Sequence, residues 1–224
     1  MKKALLALLF SGATIGAASA QVEIGLKVSP SITSLRVDSP SDYGFRNEGS
    51  RVGFGGGVVV DYFFGQNYAF SSGLFLTGKG GTVSYYDESA NRTRQQQKLS
   101  LQYLEVPVTV KLFTNDIATD TKLYFQVGGS LNAAIAGKIN GNKFYKDPAT
   151  NVETKAYKHV ILPDAALLAA FGAEYQLGQS TKLLAGISYK RGILNIDRYF
   201  DNTRKFRDVT LKNNEVALDL GIKF

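Results

Sequence analysis

The sequence predicts an all-β chain: a transmembrane antiparallel up-and-down β-barrel of about eight strands, following a cleaved signal peptide. Three observations carry that prediction. Residues 216–224 alternate strictly and stop on an aromatic. A strand turns successive side chains to opposite faces, so Val216, Leu218, Leu220, Ile222 and Phe224 share one face, and Ala217, Asp219, Gly221 and Lys223 the other. One face suits acyl chains and the other a polar lumen. At the other terminus, Lys2 and Lys3 precede an apolar stretch over residues 4–10 and small residues ending Ala18-Ser19-Ala20, the layout of a secretory leader. Between the two, no segment approaches the roughly 20 apolar residues of a spanning helix, although Gly (23), Phe (14) and Tyr (12) are plentiful. A barrel reconciles these facts, because each strand shows lipid only alternate residues.

An N-terminal membrane anchor is the rival reading of the leader, but Ser11, Gly12, Thr14 and Gly16 dilute it. The expected division is therefore 1–20 signal peptide and 21–224 one barrel domain. The absence of Cys excludes a disulfide framework, a lipid-modified N-terminal cysteine and a thiolate site.

The first strand begins at Val22, with Val22, Ile24, Leu26 and Val28 outward and Glu23, Gly25, Lys27 and Ser29 inward. After a polar loop over 38–50, the second strand, 51–62, sends Val52, Phe54, Val58, Val60 and Tyr62 outward and Arg51, Gly53, Gly55, Gly57, Val59 and Asp61 inward. Gly65-Gln66-Asn67 makes a tight turn. The third strand points Tyr68, Phe70, Leu74 and Leu76 outward and is expected to end near Lys79-Gly80-Gly81, before a loop over 87–98. In the fourth, 99–113, Leu99, Leu101 and Tyr103 share a face, then Leu104, Val106, Val108, Val110 and Leu112 do. That slip predicts a bulge near Tyr103.

After a turn over 114–121, the fifth strand sends Leu123, Phe125, Val127, Leu131, Ala133 and Ile135 outward. The longest loop spans 137–159. The sixth strand shows Leu167, Phe171 and Tyr175 to lipid, and Gly178-Gln179-Ser180 turns it into the seventh, with Leu183, Ile187 and Tyr189 outward. A final loop over 195–209 leads into the last strand. Turns and loops thus alternate short and long, as bacterial barrels require, which places both termini on the periplasmic side.

A soluble antiparallel barrel also alternates, but it would give its wet face to long polar chains. Here Gly25, Gly53, Gly55, Gly57, Gly73, Gly128, Gly172, Gly186 and Gly221 fall on the polar face. In a narrow barrel they make room for a lumen charge network of Lys27, Arg51, Asp61, Glu105, Lys111, Glu174, Lys190, Asp219 and Lys223. Glu105 and Lys111 lie six residues apart, ~20 Å along a strand, so each must pair with another strand. Balanced charge in an interior this narrow predicts a plugged lumen. The runner-up is a small porin-like channel.

The segment Tyr103-Leu104-Glu105-Val106-Pro107-Val108-Thr109-Val110-Lys111 resembles the fourth-strand motif of the PorT-like outer-membrane barrels of Bacteroidetes, built here on Tyr103, Leu104, Glu105 and Pro107. Residues 189–196, Tyr-Lys-Arg-Gly-Ile-Leu-Asn-Ile, are similar to that family's seventh-strand pattern. The resemblance implies a small barrel akin to OmpA and OmpX in the bacterial outer membrane. It also implies that Leu218, Leu220, Ile222 and Phe224 form an insertion signal read by the barrel-assembly machinery. The name-giving member is tied to type IX secretion, and nothing marks this chain as that member. Pro107 cannot donate to a ladder, so a bulge or an unpaired position must absorb it, and it reads as a local register device.

Catalytic supply is thin. His159 is the only histidine and could serve an outer-membrane hydrolase with Asp164 or Ser130, but no spacing singles out a base with an oriented partner. A His or Cys cluster for metal is missing, and the sequence calls for no cofactor. The basic loops are the functional hint. Lys143, Tyr145 and Lys158 in one, and Arg198, Tyr199, Arg204 and Arg207 in the other, are expected to meet lipopolysaccharide phosphates, outer-membrane lipid or an envelope protein. Ordinary loop charge beside an anionic surface is the plainer reading. Nucleic acid is not an expected partner of an exported chain, despite a pI of ≈ 9.4. The expected protein is a non-enzymatic barrel serving binding or envelope assembly.

Overall fold

The computed structural model describes residues 22–87, 92–146, 151–160, 163–202 and 206–224. The leader, 1–20, and Arg204 lie outside them. Among the described residues the alternating segments form eleven strands: β1 (Val22–Asp38), β2 (Arg46–Gly49), β3 (Arg51–Gly65), β4 (Tyr68–Tyr86), β5 (Arg94–Phe113), β6 (Thr121–Ile139), β7 (Phe144–Lys146), β8 (Glu153–Lys155), β9 (Pro163–Gln176), β10 (Lys182–Gly192) and β11 (Thr210–Lys223). One short helix, α1 (Tyr199–Asn202), lies in the last long connection.

Eight strands close a ring in the order β1, β3, β4, β5, β6, β9, β10, β11, every neighbour antiparallel. β11 returns to β1 from Gly25↔Lys223 to Asp38↔Thr210, and the Phe224 backbone continues that ladder by exchanging hydrogen bonds with Ile24. Closure removes the sheet edges that would otherwise carry unpaired backbone groups. The connections β3–β4, β5–β6 and β9–β10 are short, and they lie at one end of the ring with Val22, the first described residue, and Phe224. The opposite, loop end carries β2 on top of β4, the β7–β8 hairpin and α1.

Outward side chains are apolar and open: Ile32 is 60% exposed, Leu131 63% and Leu167 58%. Inward glycines make space for large inward rings. The Tyr124 ring covers Gly172 and Gly186, where an added Cβ would collide with its hydroxyl end.

Three expectations are corrected. β4 does not end at Lys79-Gly80-Gly81 but runs to Tyr86, and β5 begins at Arg94, the two remaining paired throughout. Gly80 takes φ +140° within the strand, a conformation open to glycine that reads in sequence as a turn. Leu99, Leu101 and Tyr103 are not a second outward face. They point inward in unbroken alternation with Glu105, because the lumen above Glu105 is apolar. The register does shift beside Tyr103, yet the extra residue, Ile135, belongs to β6. Finally, Pro107 sits in a stretch where the β4–β5 pairing lapses between Ser72↔Val108 and Phe75↔Glu105 and resumes in the same register. An unpaired position, not a bulge, absorbs its missing N–H.

Candidate functional site

The lumen fills in layers. Near the turn end, Lys223 Nζ lies 2.8 Å from Asp61, 2.8 Å from Glu174 and 2.7 Å from Glu23. Lys111 shares Asp61 at 2.8 Å, and the Ser71 hydroxyl donates to the same carboxylate. Glu23 also pairs with Lys182 at the mouth. One step up, Asp219 accepts Lys27 at 3.3 Å and the Ser29 hydroxyl. Higher still, Glu105 lies between Lys79 (2.8 Å) and Lys190 (2.6 Å), with Glu215 3.2 Å from Lys190. Asn213 then bridges Asp164 (3.0 Å) and the Tyr103 hydroxyl (3.1 Å).

Four buried lysines, at 79, 111, 190 and 223, and the half-buried Lys27 thus meet five buried carboxylates, Asp61, Glu105, Glu174, Glu215 and Asp219. Such charges survive burial only when paired and hydrogen-bonded. The void left among them is about 20 Å³, room for one water. At the turn end a hollow of about 250 Å³ reaches in as far as Phe63, Phe113 and Glu174.

Above the charges the interior changes character. Leu35, Val83, Tyr85, Leu99, Leu101 and Leu211 line an apolar cup. Phe200 and Phe206 from the last long connection fill it, with Phe45 edge-on to Phe200 at 4.8 Å and Tyr85 at 4.9 Å. α1 is fixed there by Asp197, whose Oδ1 accepts the Tyr199 and Phe200 N–H groups at 3.2 Å. His159 packs edge-on to Tyr199 and Tyr145 and exchanges a hydrogen bond with Thr154. At the rim, β2 is clasped to β4 by Glu48, held below the usual carboxylate range by hydrogen bonds from Ser84 and Arg94.

Residues 17–198 match the sequence profile of the outer membrane protein beta-barrel domain. The chain belongs to that family. No curated protein sequence matches it. Solved structures with a similar course include Neisserial surface protein A (15% identity, 88% of this chain and 95% of that one, TM-score 0.45). Ail, the attachment invasion locus protein of Yersinia pestis, solved with the heparin analogue sucrose octasulfate, gives 14%, 91%, 99% and 0.43. OprG from Pseudomonas aeruginosa gives 12%, 92%, 96% and 0.49. The family match and the closed ring of lipid-suited strands make this a bacterial outer-membrane barrel.

In this outer-membrane barrel the sequence-read lumen residues Lys27, Asp61, Glu105, Lys111, Glu174, Lys190, Asp219 and Lys223 converge in the network. Arg51 does not: its guanidinium donates to the Lys79 carbonyl at 3.2 Å. Sequence reasoning missed Lys79 and Glu215. Period-two counting could have found both, from Phe75 and Thr77 upward and from Ala217 backward. Of the family motif, Tyr103 and Glu105 face the lumen, Leu104 faces away, and the Pro107 carbonyl accepts the Ser72 hydroxyl at 2.8 Å.

The loop residues divide. Lys143, Lys158, Arg198 and Arg207 are exposed, whereas Tyr145 and Tyr199 are buried. Those two are not displayed aromatics. They lie within the cup, packed edge-on against His159 and each other, with Tyr199 also against Phe200. Among the described residues, no group of three or more His, Cys, Asp or Glu converges as a metal site.

Proposed function

We propose that this protein is a sealed, non-enzymatic outer-membrane barrel that works from its loop end, as a binding or envelope-assembly scaffold, with both termini in the periplasm. The filled lumen is the observation that carries this reading. A conducting ion would have to displace lysine–carboxylate pairs packed around a single-water void and then the Phe200–Phe206 plug. The short turns, gathered at one end with Val22 and Phe224, support the orientation, since outer-membrane barrels keep short turns periplasmic. That His159 is wedged between Tyr145 and Tyr199, with Asp164 held by Asn213, supports a structural part for both over a hydrolase. The motif around Glu105 supports a narrower kinship with PorT-like barrels. The exposed alternation ending at Leu218, Leu220, Ile222 and Phe224 supports their reading as the insertion signal for the barrel-assembly machinery.

Single-channel recording in planar bilayers tests the seal, with heat-modifiable gel mobility confirming a folded barrel. The expected trace is silent. Steady discrete openings would overturn the sealed reading in favour of a small porin.

A further inference from the structure

At the loop end of β5 and β6, beside the outward-facing Ser100, Gln102, Ile135 and Lys138, lies a groove of about 600 Å³ bounded by the β7–β8 hairpin, a volume typical of ligand sites. Four cations line it, Arg51, Lys138, Lys143 and Lys155, and among the described residues no carboxylate does. Glu153, on β8, borders a separate hollow toward Asn140. Ile135 and Phe144 add apolar surface, 53% and 54% exposed. The position follows from the strand geometry. The outward face of β5 is apolar from Leu112 to Leu104 and polar from Gln102 onward. With ~3.4 Å per residue and a tilt of about 40°, that apolar run spans roughly 20 Å of height, close to the ~25 Å lipid band of such barrels. Gln102 and Ala136, Ser100 and Lys138 are cross-strand partners just beyond it. The β6 bulge that adds Ile135 lies at this level. The groove therefore straddles the boundary between acyl chains and headgroups.

Cations clustered there, with no carboxylate among the described lining residues, match a multiply charged phosphate, and Arg51, anchored by one bond to the Lys79 carbonyl, keeps further donors for it. A soluble anion would not use Ile135, which faces the bilayer. We propose that the groove binds one phosphorylated lipid of the adjoining leaflet, its phosphate among Arg51, Lys138, Lys143 and Lys155 and an acyl chain along Ile135. By the orientation proposed above, the leaflet is the outer one.

Native mass spectrometry of the detergent-purified barrel with diphosphorylated lipid A tests this, folded state being checked by heat-modifiable mobility. Lys138→Gln, Lys143→Gln and Lys155→Gln together are expected to lower lipid A retention at least tenfold. Ile135→Ser alone is expected to lower it severalfold, and Lys122→Gln at the turn end to leave it unchanged. Retention by the triple variant equal to the parent overturns the proposal. So does displacement of lipid A by millimolar inorganic pyrophosphate, which would mark a free-anion site. Neither outcome touches the seal, which conductance alone decides.

Discussion

Glu105 accepts Lys190 and Lys79 through separate oxygens, Oε1 and Oε2, at a depth where neither lysine reaches water. Glu105→Gln keeps the volume and removes the charge, leaving two buried lysines to share Glu215. Breaking a buried pair in this way costs about 3–5 kcal/mol. The expected outcome is a marked fall in the urea midpoint of the barrel refolded in lipid vesicles, and an unchanged midpoint would show the pair to be dispensable. The inward position of Glu105 was legible from alternation alone, as was its need for partners on other strands, which prove to be β4 and β10. Lys79 was missed, although counting by twos from Phe75 and Thr77 reaches it. Its neighbours Gly80 and Gly81 read as a turn and stopped the count, whereas the β4–β5 pairing carries the strand on through them.

The connection between β10 and β11 behaves as a plug because one side chain caps its helix. Without the Asp197 carboxylate the first N–H groups of α1 face an apolar cup with no acceptor from that residue. Asp197→Ala should cost about 1 kcal/mol. It should raise hydrogen exchange at Tyr199 and Phe200 while leaving the β-strand amides protected, and exchange equal to the parent would count against the cap. This element was hidden in the sequence. Tyr199, Phe200 and Phe206 alternate with Arg198 and Arg207, the mixture of an exposed loop. Their burial depends on Leu35, Tyr85, Leu99 and Leu211, drawn from four strands far apart in the chain. No local pattern announces a cup assembled from such distant parts.

At the scale of the molecule, strand number and order were legible because lipid imposes the same alternation on every strand and because turns and loops differ in length. The upper storey of the lumen was not, since above the bilayer apolar residues turn inward and the outward signal fades. Orientation is open to direct measurement in a chain without cysteine. Lys158→Cys, at the loop end, is expected to react with an impermeant maleimide on intact cells. Gln179→Cys, in the β9–β10 turn, is expected to react only after permeabilisation. The reverse pattern would invert the proposed topology.

Ring closure has its own consequence for assembly. Lys27 and Glu23 stand on the first strand, and their partners Asp219 and Lys223 on the last, 192 residues separating Lys27 from Asp219. A slip of one residue between those strands turns every lipid-facing side chain into the lumen and is rejected by hydrophobicity. A slip of two keeps every face correct and would pass that test. It fails a second one, because it draws Lys27 off Asp219 and Lys223 off Glu23 and strands buried charge. Apolar alternation proofreads the odd errors of closure, and the seam ion pairs proofread the even ones.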